Sequence, residues 1–292
     1  MKLRKLVGAL AAIALMLVVP ISTSSGASTS RISTTSPCGV ATTTQYTHVV
    51  WIMLENVGYS VVGSHEAPYF NQLVAKCGLA THYYAASHPS LPNYIALTSG
   101  STQGISDDGE PSTHPLSVPS IFSQLGTNWR ALDESMPSPC DGVTSGVYAA
   151  RHNPAVYYTS IASTCQQNDV PLTLPLNLSA GFTLITPNIC DDMHSCPVAS
   201  GDAWLHRYVP QILSSPQYQK RSLVLFITFD ENDNAASNQV PTVVISPTTP
   251  RGEKVAAKFS HYSLLKTTEL LLHLGQLGNA ATAPSMIPSF HL

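Results

Sequence analysis

The segment Leu223-Val-Leu-Phe-Ile-Thr-Phe229 runs seven residues without a charge and then meets Asp230-Glu231. A continuous apolar run of this length is the pattern of a strand covered on both faces, as in a parallel sheet. The pattern recurs at His48-Val-Val-Trp-Ile-Met-Leu54, which stops at Glu55-Asn56. It recurs again at Phe182-Thr-Leu-Ile-Thr186, which leads through Pro187-Asn188 into Cys190-Asp-Asp-Met-His194. Thr242-Val-Val-Ile-Ser246 is a fourth such run. Helical candidates lie among them at 69–76, 94–97, 120–125, 204–213 and 261–274. Strands alternating with helices predict an α/β fold, a mostly parallel central sheet with helices on both faces. Residues 101–180, rich in Pro, Ser, Gly and Tyr and weak in periodicity, read as a small cap insertion over that sheet.

In such sheets ligands bind outside the carboxyl ends of the strands. Glu55, Asn56, Asp191, Asp192, His194, Asp230 and Glu231 all follow strand runs and are expected on one edge. As loop residues facing water they need no explanation. Gathered in one crevice, their mutual repulsion demands a cation. Oxygen ligands from Glu55, Asn56, Asp230 and Glu231 suit Mg²⁺, Ca²⁺ or Mn²⁺. Zinc fits if His194 or His261 adds a nitrogen.

The stretch ASHPSLPNYIALTSGST, 86–102, sets Ser90 between Pro89 and Pro92 ahead of an apolar helical run. Proline suits the turn before a helix and its first residues. Ser90 then lies at a helix N-terminus, where free N–H groups attract an anion. It reads either as an N-cap and no more, or as a nucleophile beside the metal, which would lower the hydroxyl's pKa. Both roles can hold at once.

Lys2, Arg4 and Lys5 precede an apolar run from Leu6 to Val19, and small residues follow to Ala27. Residues 1–27 read as a signal peptide of a secreted protein, and 28–45 as a flexible Ser/Thr-rich lead-in to a domain over 46–292. The apolar run is short for a membrane span, so no stable membrane anchor is expected. Loss of the leader takes the formal charge from −3 to about −6. No basic run appears, which excludes nucleic acid as the main partner. Six cysteines in an exported chain suggest three disulfides among fifteen pairings, with Cys190–Cys196 and Cys140–Cys165 the expected bridges. Nothing in the sequence sets an oligomeric state.

Five stretches in order resemble one family: Trp51-Ile-Met-Leu-Glu-Asn56, His88-Pro-Ser-Leu-Pro-Asn-Tyr94, Thr186-Pro-Asn-Ile-Cys-Asp-Asp-Met-His194, Gly201-Asp-Ala-Trp-Leu205 and Thr228-Phe-Asp-Glu231. They are similar to the bacterial phosphoesterase family of acid phosphatases and phosphatidylcholine-type phospholipases C, in the alkaline-phosphatase-like superfamily. The resemblance implies a three-layer α/β/α sandwich and a metal-dependent phosphoric ester hydrolase. It makes Ser90 the nucleophile that forms a phosphoserine, and Glu55, Asn56, Ser90, Asp230 and Glu231 the ligands of one divalent metal. Asp192, His194 and His261 fall where other superfamily members hold a second metal; in acid phosphatases of this family such groups are expected to contact phosphate or protonate the leaving group. His152, in Ala-Arg-His-Asn-Pro, matches a cap segment that reaches the phosphate. Asn93 and His261 are carried over as substrate-binding. A small phosphomonoester is the expected substrate, a phospholipase C-type diester the alternative. A catalytically inactive binding protein is disfavoured because neither nucleophile nor metal ligand is missing. A sulfatase is disfavoured because Ser90-Leu-Pro-Asn lacks that chemistry's arginine.

Overall fold

A computed structural model describes residues 36–233 and 237–292. The expected signal peptide and the first part of the lead-in lie outside the described residues. In chain order the elements are β1 (His48–Leu54), α1 (Pro68–Lys76), β2 (Gly78–Tyr84), α2 (Ser90–Ser99), α3 (Ile121–Leu125), β3 (Trp129–Asp133) and α4 (Ala162–Asn168). There follow β4 (Asp169–Pro171), β5 (Phe182–Thr186), α5 (Val198–Ser214), α6 (Pro216–Gln219), β6 (Leu223–Phe229), β7 (Gln239–Ile245), β8 (Lys254–Ser260), α7 (His261–Leu271) and α8 (Ile287–Phe290).

The eight strands form one sheet in the order β4-β3-β5-β1-β6-β7-β2-β8. β7 runs antiparallel to both of its neighbours, and every other pairing is parallel. Side-chain alternation along a strand places the helices. Trp51 points to one face, where its Nε1 donates to Thr268 of α7 at 3.1 Å. Phe226 is Trp51's register partner, so Phe229, three residues on, points to the other face. There it meets Phe70 of α1, ring to ring at 6.0 Å. The sheet is therefore sandwiched between helices, as expected.

The uncharged runs fall where both faces are covered. All seven residues of β6 and all five of β5 are buried, as are six in β1. Each large apolar side chain so buried stabilises the fold by about 1.5–3 kcal/mol. Together they offset the several kcal/mol that a buried, uncompensated charge at a strand's end costs. Central strands can thus end in buried carboxylates.

Two expectations need correction. The segment 101–180 is not wholly a cap: β3 and β4 lie within it and extend the main sheet beyond β5. The lead-in is anchored from residue 36 onward, where Ser36 Oγ donates to Lys76 O at 2.7 Å, Val40 N donates to Pro247 O at 2.8 Å and Cys38 is bonded to Cys77. The other two disulfides are Cys140–Cys165 and Cys190–Cys196, as anticipated. No helix among the described residues is long and apolar enough to cross a membrane.

Candidate active site

The adjacency of β5, β1 and β6 brings three separate pieces of sequence to one crevice. β1 ends at Leu54, so Glu55 follows it directly, and Glu55 N donates to Asp192 O at 2.8 Å. Asp230 follows β6, and its N donates to Leu54 O at 3.0 Å. Asp192 stands on the short ring closed by Cys190–Cys196 beyond β5, where Met193 has a φ of 81°. Gly201 lets that ring pass α5, since a Cβ there would lie 2.4 Å from Met193 Cγ. Asn56 takes a φ of 53°, a left-handed turn that asparagine tolerates better than most residues. The turn directs its N–H to Asp230 Oδ1 at 3.2 Å and its Nδ2 to Glu55 Oε2 at 2.8 Å.

Ser90 is the first residue of α2, preceded by Pro89 at the N-cap position. It caps nothing. Its Oγ instead donates to Glu55 Oε2 at 2.8 Å. One turn further along α2, Tyr94 OH donates to Glu55 Oε1 at 2.5 Å. A serine and a tyrosine four apart share one helix face, and that spacing is the sequence signal by which Tyr94 could have been found. Asn93 serves the turn: its Oδ1 accepts from Ala86 N and Ser87 N, and its Nδ2 donates to Ser87 O and Pro89 O.

His152 lies on a 3₁₀ turn, Ala150–His152, and stacks on Tyr94 with ring centroids 5.4 Å apart. Its Nε2 is 3.4 Å from Glu55 Oε2 and its Nδ1 3.2 Å from Asp192 Oδ2. His194 N donates to Asp192 Oδ1 at 2.8 Å, and its exposed ring lies 6.0 Å from that of His152. His261 stands behind the carboxylates. Its Nε2 meets Asp230 O at 2.6 Å and its Nδ1 meets Tyr83 OH at 3.1 Å. With both ring nitrogens engaged, His261 positions Asp230 in this arrangement and offers no nitrogen to a ligand. Glu231 pairs with His88 Nδ1, a partner for which sequence reasoning assigned no role.

Glu55, Asp192 and Asp230 are fully buried. Burial and then the charges of Asp230 and Asp192 hold the Glu55 carboxyl well above its usual range. Burial likewise raises Asp192, Asp230 and Glu231, the last to about 8. Burial, then Arg151 and His194, hold His152 well below the usual histidine range, so its ring is neutral. Asp230 Oδ2 and Asp192 Oδ2 have no hydrogen-bond partner, although buried polar atoms ordinarily do. Ligand atoms of Glu55, His152 and Asp192 lie within 4.8 Å of one another. Repelling carboxylates with orphaned oxygens fit a bound divalent cation, which would reverse each upward shift. Cys140, Cys165 and Asp169 also approach one another, but both sulfurs are spent in a disulfide.

Comparisons with known proteins give the family and the fold. Residues 58–275 match the model of the phosphoesterase family. The chain is 31% identical over 246 residues to a phosphatidylinositol-3-phosphatase of Mycobacterium tuberculosis, covering 82% of this chain and 81% of that one. It is 26% identical to an acid phosphatase of Aspergillus fumigatus over 78% of its length, spanning 55% of that longer protein. Among solved structures, a protein of the alkaline phosphatase superfamily from Vibrio parahaemolyticus superposes with a TM-score of 0.56 at 11% identity, covering 85% of this chain and 72% of that one. That likeness speaks for the fold alone.

Proposed function

The chain belongs to the phosphoesterase family and is a hydrolase of phosphate esters, and on that premise we propose that it is a secreted, metal-dependent phosphomonoesterase working through a phosphoserine at Ser90. The observation that carries this reading is the Ser90 hydroxyl, 2.8 Å from Glu55 Oε2 among buried carboxylates. Glu55, Asn56, Asp230 and Glu231 would hold the divalent cation, which when bound lowers the pKa of the Ser90 hydroxyl and neutralises phosphate charge.

Ser90 Oγ attacks phosphorus in line, forming the Oγ–P bond as the bond to the leaving oxygen breaks. Glu55 Oε2 is the acceptor within reach of the serine proton. The departing alkoxide takes a proton from His194 at the rim, while His152, held below the usual histidine range between Glu55 and Asp192, lends an N–H to the phosphate. Water then attacks the phosphoserine, the Oγ–P bond breaks, Ser90 regains its proton and phosphate leaves. A monoester leaves only phosphate on the serine. A diester would require room for a second substituent.

The Mycobacterium relative's name makes phosphoinositide monoesters a second substrate class for the same chemistry. The test is hydrolysis of p-nitrophenyl phosphate, a short-chain phosphatidylinositol 3-phosphate and p-nitrophenyl phosphorylcholine. Each is run on chelated protein and after adding back Mg²⁺, Ca²⁺, Mn²⁺ or Zn²⁺ singly. Turnover of the monoesters, restored by one cation, is the expected result. Turnover of the choline diester alone would replace this reading with a phospholipase C, and silence on all three would end it.

A further inference from the structure

Asp108 is an acid in a cleft already crowded with acids. It lies in an irregular stretch, 101–119, and its side chain is 37% exposed. Its Oδ1 accepts from Leu91 N at 2.9 Å. Leu91 directly follows Ser90 in the first turn of the ten-residue helix α2, where a free N–H favours an anion. Its Oδ2 lies 3.9 Å from Nε of Arg151, the residue before His152. Glu231 and His194 also feel the Asp108 carboxylate, the first unfavourably and the second favourably when protonated.

A phosphate on its way to Ser90 needs a backbone N–H at the helix start and a cation from the cap. Both are engaged by Asp108. Two buried oxygens of the same cleft, Asp230 Oδ2 and Asp192 Oδ2, lack hydrogen-bond partners, so the site is built around a ligand. The backbone beside Asp108 is held: Tyr157 OH donates to Gly109 O at 2.8 Å, and Asp107 accepts from Gly109 N at 2.8 Å. Exchange therefore needs rotation of one exposed side chain, a fast motion, and no loop opening.

We infer that Asp108 is a resident anion that occupies the phosphate's seat and sets the enzyme's affinity for phosphate. Substrate phosphate displaces its carboxylate from the Leu91 N–H and from Arg151, and the carboxylate returns as product leaves. This rests on the assignment of Ser90 as nucleophile. The design trades substrate affinity for product release.

The experiment measures the inhibition constant of inorganic phosphate against p-nitrophenyl phosphate turnover, and the rise in Tm that phosphate produces. Asp108→Asn keeps an acceptor for the Leu91 N–H without the charge; Asp108→Ala removes both. Expected are an inhibition constant and KM about tenfold lower in both variants, the size of a 1.4 kcal/mol change, with a larger phosphate-induced Tm rise. Arg151→Gln should raise the inhibition constant about tenfold. Asp107→Asn, altering the neighbour paired with His114, should leave it unchanged. If Asp108 were only a helix cap, both variants would lower Tm while phosphate affinity stayed as in wild type or weakened, and the inference would fall. If Asp108→Ala does not fold, the asparagine variant alone decides. A wild type that hydrolyses the monoester while the variants show no tightening overturns this inference only. A wild type that neither turns over nor binds phosphate overturns the reading beneath it as well.

Discussion

Two groups of buried acids lie on the same sheet, and they are neutralised differently. At the centre, Glu55, Asp192 and Asp230 surround the Ser90 hydroxyl and the His152 ring. Toward the edge, Asp133 at the end of β3 and Asp169 at the start of β4 form a buried pair closed over by Tyr148, Asn153 and the Cys140–Cys165 disulfide. Burial, then the neighbouring acid, hold Asp133 well above the usual carboxylate range, and burial raises Asp169 to about 6. Two acids with one amide donor, Asn153 Nδ2 to Asp169 Oδ2 at 2.9 Å, can become neutral by holding a proton between them. Three acids around a hydroxyl call for a cation. Adjacent residues join the groups, since His152 faces the central one and Asn153 the edge one. A buried acid thus marks chemistry only when a nucleophile and an open path to ligand accompany it.

The comparison breaks most directly at Ser90. Ser90→Ala should lower kcat at least about a thousandfold, since metal and histidines cannot replace a covalent nucleophile. Its Tm should stay within a few degrees of wild type. Residual turnover at a tenth of wild type would show that some other group attacks.

Next in size is the response to metal. At a cation concentration about 100 times its Kd, a site occupied only in the folded state adds about 2.7 kcal/mol. Calorimetry should show that rise in wild type and in Asp133→Asn, but a much smaller one in Asp230→Asn. An equal loss in Asp133→Asn would mean that the edge pair, too, belongs to the cation's site.

The smallest effect concerns pH. For acids raised in the folded state, the folded chain holds protons that the unfolded chain releases. Their contribution is complete below about pH 3.9, the unfolded value, and is lost as pH rises through about 6 and beyond. Asp133→Asn cannot ionise and can still donate to Asp169. It should flatten the fall in Tm from pH 5 to pH 8 and recover about 1–3 kcal/mol at the upper end. Parallel Tm curves for wild type and variant would rule out proton sharing.

The apolar runs announced β1, β5 and β6 because those strands are covered on both faces, and the same runs end at Glu55 and Asp230. Edge strands carry no such mark. In β8, Lys254–Ser260, Lys254, Ala256, Ala257 and Lys258 are exposed, so nothing in that stretch reads as a core strand. β4 is three residues long, too short for a pattern. In the site, strand ends were legible because acids after apolar runs are conspicuous. His152 came through its resemblance, since its approach to Asp192 depends on how the chain folds back from β3. Tyr94 hid in an apolar helix whose ten residues are all buried. Asp108 hid in a loop of ordinary turn residues, its partners 17 and 43 positions away.

The order β5-β1-β6 also bears on how such proteins can diversify. Three neighbouring central strands deliver the central acids, while the outlying strands and the stretch between α2 and β3 deliver none of them. Insertions or exchanges at that periphery can reshape the mouth of the cleft without disturbing the acids beneath it. One constellation can then be inherited intact while the choice of ester drifts, with the cost of innovation confined to the rim.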